Sequence, residues 1–269
     1  SGRSGSYQPA FVGRGSPCKR RPSKGEVRDM SLKKLEVHHA TKRIHGNTVL
    51  QDISCTFLSG KIYGLKGING SGKTMFMRLL CGLIRPSEGE IFYDEKKLGI
   101  DFRFPPSVGI LLENPSFLDS CTGLQNLKMI ADINQRITEK EIRNTLFRVG
   151  LDPDDQRKYK KYSLGMKQRL GIAAAVMEKP DLLILDEPFN ALDTSGIEMV
   201  SHLLEEEKKN GALVIFSCHD NEILKMHSDQ ILELSEGRIV GKSDEKEKDI
   251  DYGCNPSDLS LGPAGLAGK

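Results

Sequence analysis

The run Gly67-Ile68-Asn69-Gly70-Ser71-Gly72-Lys73-Thr74 constrains this chain more than any other feature. Its spacing, G-x-x-x-x-G-K-[ST], suits a loop that wraps an anion. Glycines let the backbone curl until several N–H groups point at one charge. A helix that starts at Lys73 would add the positive end of its dipole. Lys73 would supply a mobile point charge for the β- and γ-phosphates of a nucleotide, and Thr74 a hydroxyl for Mg²⁺. The motif works only between a strand and a helix. Lys61 to Leu65 reads as the strand, and Lys73 to Leu83, ended by Gly82, as the helix.

The rest of the pattern agrees with an α/β chain. Leu35 to His39 and Val49 to Phe57 read as strands, followed by short strands at Glu90 to Tyr93 and Val108 to Leu112. A helical pattern runs from Thr122 to Val149, with Thr138 and Glu141 spaced as a capping box. Leu164 to Met177 and about Thr194 to Lys209 read as further helices. Leu182 to Leu185 and Ala212 to Phe216 are unbroken apolar runs, as buried parallel strands are. Ile231 to Leu234 and Arg238 to Val240 flank Glu236-Gly237 and predict a terminal hairpin. The sum is a parallel sheet with a helical insert between two strand-bearing halves.

Composition narrows the function classes. The 269 residues have a net charge of +2, yet residues 1–29 carry seven basic and two acidic side chains. Without that segment the chain is mildly acidic, so the basic balance of the whole chain is no evidence for nucleic-acid binding. No apolar run approaches the roughly 18 residues of a membrane-spanning helix. The opening residues have no apolar stretch of the kind a secretory signal needs. None of the six cysteines forms a C-x-x-C pair or a zinc-spaced cluster with histidine, so they read as reduced thiols in a cytosolic protein. Residues 1–29 read as a vector-derived, disordered leader before a native start at Met30. Residues 242–269 read as a flexible tail of the same kind.

A second chemical signal is Leu182-Leu183-Ile184-Leu185-Asp186-Glu187-Pro188. An apolar strand delivers two carboxylates to the sheet edge where ligands bind in open α/β folds. Asp186 suits a partner for Mg²⁺, and Glu187 a group that orients water for attack on a γ-phosphate.

These two motifs, together with Tyr162-Ser163-Leu164-Gly165-Met166-Lys167-Gln168-Arg169, resemble the ATP-binding subunit of ABC transporters. The resemblance covers nearly all of residues 32–241. It implies a P-loop NTPase core with a parallel sheet, an N-terminal antiparallel β subdomain and an inserted helical subdomain at about 114–177, all within a domain at 30–241. It implies ATP and Mg²⁺ as the ligands, with Lys73, Glu187 and His219 in catalysis. Residues 67–74 would hold phosphate, and Thr74 and Asp186 the metal. The signature Leu-Ser-Gly-Gly-Gln reads Tyr-Ser-Leu-Gly-Met here. Ser163 and Gly165 are kept, and they would face the nucleotide of a second cassette. Asp193, in Asn190-Ala191-Leu192-Asp193, would cross that interface.

Two further positions depart from the family. Glu113 stands where a glutamine is usual, and it would either join the metal or point to solvent. His45, in Ile44-His45-Gly46, stands where an aromatic residue usually stacks on adenine, which leaves ATP against GTP open. The run Ser-Leu-Gly-Met-Lys-Gln-Arg-Leu-Gly is similar to a subgroup of bacitracin-type and lantibiotic exporters. The resemblance therefore implies a cytoplasmic ATPase at the inner face of the cell membrane. Its partners would be a separate transmembrane permease and a second nucleotide-binding subunit, identical or not, and no nucleic acid. The helical insert and the loop near Glu113 would dock the permease. The rival readings are a soluble ABC ATPase outside transport, for example in iron–sulfur assembly, and a P-loop kinase.

Overall fold

The computed structural model describes residues 31–113 and 115–244. The expectations for residues 1–29, for a start at Met30 and for the tail beyond 244 lie outside the described residues.

The first unit is an antiparallel sheet. Strand β1 (Lys34–Ile44) pairs with β2 (Asn47–Leu58) and β4 (Glu88–Tyr93), and β4 with the two-residue β5 (Lys96–Lys97), in the order β2-β1-β4-β5. Alternation builds it. In β2, Ile53, Cys55 and Phe57 are buried while Ser54, Thr56 and Leu58 face solvent, the period-2 signature of a half-buried strand.

The second sheet has the order β10-β9-β3-β8-β7-β6. Strands β3 (Ile62–Lys66), β6 (Val108–Leu111), β7 (Leu182–Leu185), β8 (Leu213–Ser217) and β9 (Gln230–Ser235) run parallel. Only the edge strand β10 (Arg238–Asp244) is antiparallel, closing the hairpin at Glu236-Gly237. It continues past residue 241, the expected end of the domain.

Every residue of β7 and β8 is buried because both faces of this sheet are covered. Leu182, Ile184, Leu213 and Ile215 pack with Phe57, Phe76 and the antiparallel sheet. Their neighbours Leu183, Leu185, Val214 and Phe216 point the other way and pack with the helices of the opposite face. Helix α1 (Lys73–Leu80) belongs to the first cluster.

The expected helical stretch from Thr122 to Val149 is two helices, α2 (Gly123–Asn134) and α3 (Glu139–Arg148). Gln135 ends α2 in the left-handed region, at φ 52°. The predicted capping box of Thr138 and Glu141 starts α3, and a second box, Thr122 with Gln125, starts α2. Helix α4 (Leu164–Val176) follows, capped by the Ser163 hydroxyl. It lies so close to β6 that a Cβ on Gly109 would stand 1.9 Å from the Ala175 carbonyl oxygen. The inserted helices therefore share one core with the sheet, with Leu127, Leu146 and Leu170 joining Leu183 and Val214. Helix α5 (Thr194–Lys209) matches its expected span. Helix α6 (Asn221–His227), absent from the sequence reading, is only seven residues long. Among the described residues no helix is long and apolar enough to cross a membrane.

Candidate nucleotide site

The loop between β3 and α1 has the form its glycines require. Gly67 takes φ 156°, and a Cβ there would stand 2.4 Å from the Leu234 carbonyl oxygen. Gly70 and Gly72 take φ 82° and 104°, left-handed values that favour glycine. Gly72 is also the N-cap of α1, and no side chain caps that helix. Its first-turn N–H groups are thus left for an anion. The Lys73 ammonium, largely buried, donates to the carbonyl oxygens of Gly67 (2.6 Å) and Ile68 (3.2 Å). Two of its three donors hold the loop, and the third is left over.

The carboxylates of the Leu182–Leu185 strand arrive beside this loop. Thr74 Oγ1 donates to Asp186 Oδ2 at 2.6 Å, joining residues 112 positions apart. Ser217, fully buried at the end of β8, donates its hydroxyl to Asp186 Oδ1 at 2.5 Å and accepts the Glu187 N–H at 2.9 Å. Glu187 sits at φ 52°, a left-handed conformation that strains a residue with a Cβ. Its Oε1 lies 3.1 Å from His219 Nε2, yet has no aligned hydrogen-bond partner among the described residues. Burial is the main influence on the Glu187 carboxyl and pushes its pKa up. The His219 ring pulls it down, the Asp186 carboxylate raises it and Lys73 lowers it. The net shift is upward, toward a stronger base.

These groups line one cavity of about 580 Å³, a volume ordinary for a small-molecule ligand. Asn69, Gly70, Gly72, Lys73 and Thr74 form its phosphate side, facing Asp186, Glu187 and His219. Gly67, Ile68 and Ser71 shape the loop without lining the cavity, and Ile68 is 78% exposed. Mg²⁺ prefers hard oxygen ligands and keeps several from water or substrate phosphates. The Thr74 hydroxyl and Asp186 carboxylate, in contact beside the loop, fit that preference. No cluster of three or more ligating His, Cys, Asp or Glu side chains exists among the described residues, so an ion here would need ligand oxygens to complete its shell.

Other predicted residues lie elsewhere. His45, exposed in the β1–β2 turn at φ 47°, does not line the cavity. Thr48 and Val49 line it instead, with Glu236 and Gly237 from the β9–β10 turn. Glu113, its side chain 62% exposed, reaches the rim and pairs with Arg78 of α1 at 2.5 Å. Ser163, Gly165 and Asp193 form a separate cluster, none of them on the cavity wall. Ser163 caps α4, Asp193 caps α5 while accepting from Arg169 at 3.1 Å, and a Cβ on Gly165 would stand 2.9 Å from the Ala191 carbonyl oxygen.

Sequence reasoning missed Ser217, Gln168, Thr48, Val49 and Glu236. Ser217 alone had a local signal, a hydroxyl ending an apolar strand next to the acidic pair's strand.

Comparison with known proteins identifies the family. The family model described as ABC transporter matches residues 50–190. YybJ, an uncharacterised ABC transporter ATP-binding protein of Bacillus subtilis, is 46% identical over 76% of this chain and 94% of its own length. The bacitracin transport ATP-binding protein BcrA of Enterococcus faecalis is 38% identical over 77% of this chain and 68% of its own. The lantibiotic transport ATP-binding protein SrtF of Streptococcus pyogenes is 34% identical over 84% and 95%. Among solved structures, the ATP-binding subunit of an ABC transporter superposes with a TM-score of 0.71 at 26% identity, over 78% of this chain and 89% of that one. This chain belongs to the ABC transporter family, as one of its ATP-hydrolysing nucleotide-binding subunits.

Proposed function

We propose that this chain powers export of a peptide, antibiotic or other small molecule through a separate membrane permease, working at the cytoplasmic face of the membrane. The observation that carries the reading is the likeness to the bacitracin and lantibiotic transport ATP-binding proteins, which extends over 77% and 84% of this chain.

The chemistry follows from the cavity. Catalysis of phosphoryl transfer is largely positioning and charge stabilisation. The glycine loop, the uncapped start of α1 and Lys73 hold the β- and γ-phosphates. Thr74 and Asp186 hold Mg²⁺, which when bound neutralises phosphate charge. Ser217 fixes Asp186 and the backbone of Glu187 together. Glu187, its carboxyl pushed up by burial, orients the attacking water and accepts its proton. His219, beside Glu187, contacts the γ-phosphate.

Ser163, Gly165 and Asp193 sit away from their own cavity, so they serve best in trans. Two cassettes then pair head to tail, and the α4 N-terminus of one faces the γ-phosphate of the other. The helical insert and the rim near Glu113 dock the permease.

Purified Glu187→Gln protein, sized by light scattering with and without ATP, tests the pairing. A dimer only with ATP supports it, and a monomer at saturating ATP counts against it. Phosphate release from wild type without any acceptor separates the ATPase from a kinase. Copurification of a hydrophobic subunit supports transport, and recovery with soluble partners only would favour an ATPase outside transport.

A further inference from the structure

Glu187 holds a left-handed backbone conformation that its own side chain does not favour, and something must keep it there. The Ser217 hydroxyl fixes its N–H. Its carbonyl is held by a residue with no role so far. Gln168, in the second turn of α4, is 7% exposed and lies on the cavity wall. Its Nε2 donates to Glu187 O at 3.0 Å and to Pro188 O at 3.1 Å. Two carbonyl acceptors fix the amide orientation, because only the nitrogen end can donate to both. Pro188 has no N–H and a locked φ, so its carbonyl is the only backbone polar group through which it can be tied.

The same helix holds the rest of the loop. Gly165 lies against Ala191, another non-glycine residue at positive φ (60°). Arg169 donates one Nη to Asp193 at 3.1 Å and the other to Val149 O at 3.0 Å. Residues 187–193 thus meet the first two turns of α4 at their start, middle and end.

We infer that Gln168 is a positioning residue for hydrolysis: its amide holds the strained backbone of Glu187 in register with α4, so that the start of α4 and the Glu187 carboxylate move as one unit. The inference rests on Glu187 being the water-orienting group. It assigns Gln168 no contact with the reacting atoms. Displacing a catalytic group by about 1 Å can lower a rate about a hundredfold, so the contact has leverage on kcat without touching ATP. The amide is specific. Methionine matches its length and volume but donates nothing. Glutamate would set a carboxylate against two carbonyl oxygens.

Steady-state ATPase kinetics on Gln168→Met and Gln168→Glu test this, beside Glu187→Gln and the double variant Gln168→Met/Glu187→Gln, with melting temperatures for all. We expect kcat to fall about 10–100-fold in both Gln168 variants while KM for ATP stays within about twofold. Gln168→Met should keep a wild-type melting temperature to within a few degrees. Gln168→Met should add no further loss to Glu187→Gln, because groups acting as one unit are not additive. A wild-type kcat in Gln168→Met, with Glu187→Gln inactive, overturns the role of Gln168 alone. A fall in kcat that tracks lost folded protein, or that adds fully in the double variant, overturns it in favour of plain packing. Wild-type turnover in Glu187→Gln removes the reading of Glu187 itself, and this inference with it.

Discussion

The two ends of the nucleotide cavity are built differently. At the phosphate end, Lys73, Thr74, Asp186 and Ser217 are all held by side-chain hydrogen bonds, while Glu187 Oε1 and the first N–H groups of α1 are left open. Thr74 and Ser217 both bond Asp186, Ser217 also holds the Glu187 N–H, and Lys73 holds the loop's own carbonyls. At the other end, the expected place of the nucleoside, stand Thr48, Val49 and the turn Glu236-Gly237, with no Phe, Tyr or Trp among the lining residues. Phosphate is the same in every nucleotide and needs fixed charges and donors. A base is recognised by stacking and by edge hydrogen bonds, and this end offers little of either. The contrast predicts fixed groups where charge develops during reaction and loose selection of the base.

The sharpest way to break this contrast is at the phosphate end. Glu187→Gln should lower kcat by about 10²–10⁴-fold, measured as phosphate release, with ATP binding retained. Ser217→Ala comes next. It removes a buried donor from Asp186 and the acceptor of the Glu187 N–H, and should lower stability by about 1–3 kcal/mol in denaturant titration. Its turnover should fall as well, since the Asp186 carboxylate and the Glu187 backbone both lose their anchor.

Effects should shrink toward the rim. Glu113→Gln weakens the ion pair with Arg78, both groups part-exposed, and should change kcat by up to about fivefold with ATP binding intact. At the nucleoside end His45→Ala should change KM for ATP by less than about twofold, because His45 is outside the cavity. KM values for ATP and GTP should agree within about fivefold. A GTP preference or penalty of a hundredfold would show that the nucleoside end is as selective as the phosphate end is ordered, and the contrast would fail.

Legibility in the sequence followed the range of the interaction. Gly67 to Thr74 can be read locally because each residue acts through its own backbone freedom or through the helix that starts beside it. The strand Leu182 to Leu185 can be read because burial on two faces leaves no polar position. The capping box of Thr138 and Glu141 is equally local. Helix α6 and strand β5 escaped because seven and two residues are too few for a period to show. The single helical run from Thr122 to Val149 divides at Gln135, where the left-handed turn carries no glycine to announce it. His45 was placed by resemblance alone, and resemblance transfers a position only when the residue keeps its chemistry.

What the sequence determined by itself is the chemistry of phosphate: a loop that can curl, a cation, a hydroxyl and two carboxylates at a strand end. Those properties reside in short stretches whose geometry is set by φ freedom, helix start and strand burial. Which distant groups complete them follows from packing. Ser217 reaches Asp186 because β8 lies beside β7, Gln168 reaches Glu187 because α4 packs over the loop, and Glu236-Gly237 reaches the cavity because β9 pairs with β3. Serine, glutamine and glutamate are common surface residues. Apart from the place of Ser217 at the end of an apolar strand, nothing in their local sequence marks them until sheet order and helix packing bring a partner within hydrogen-bond distance.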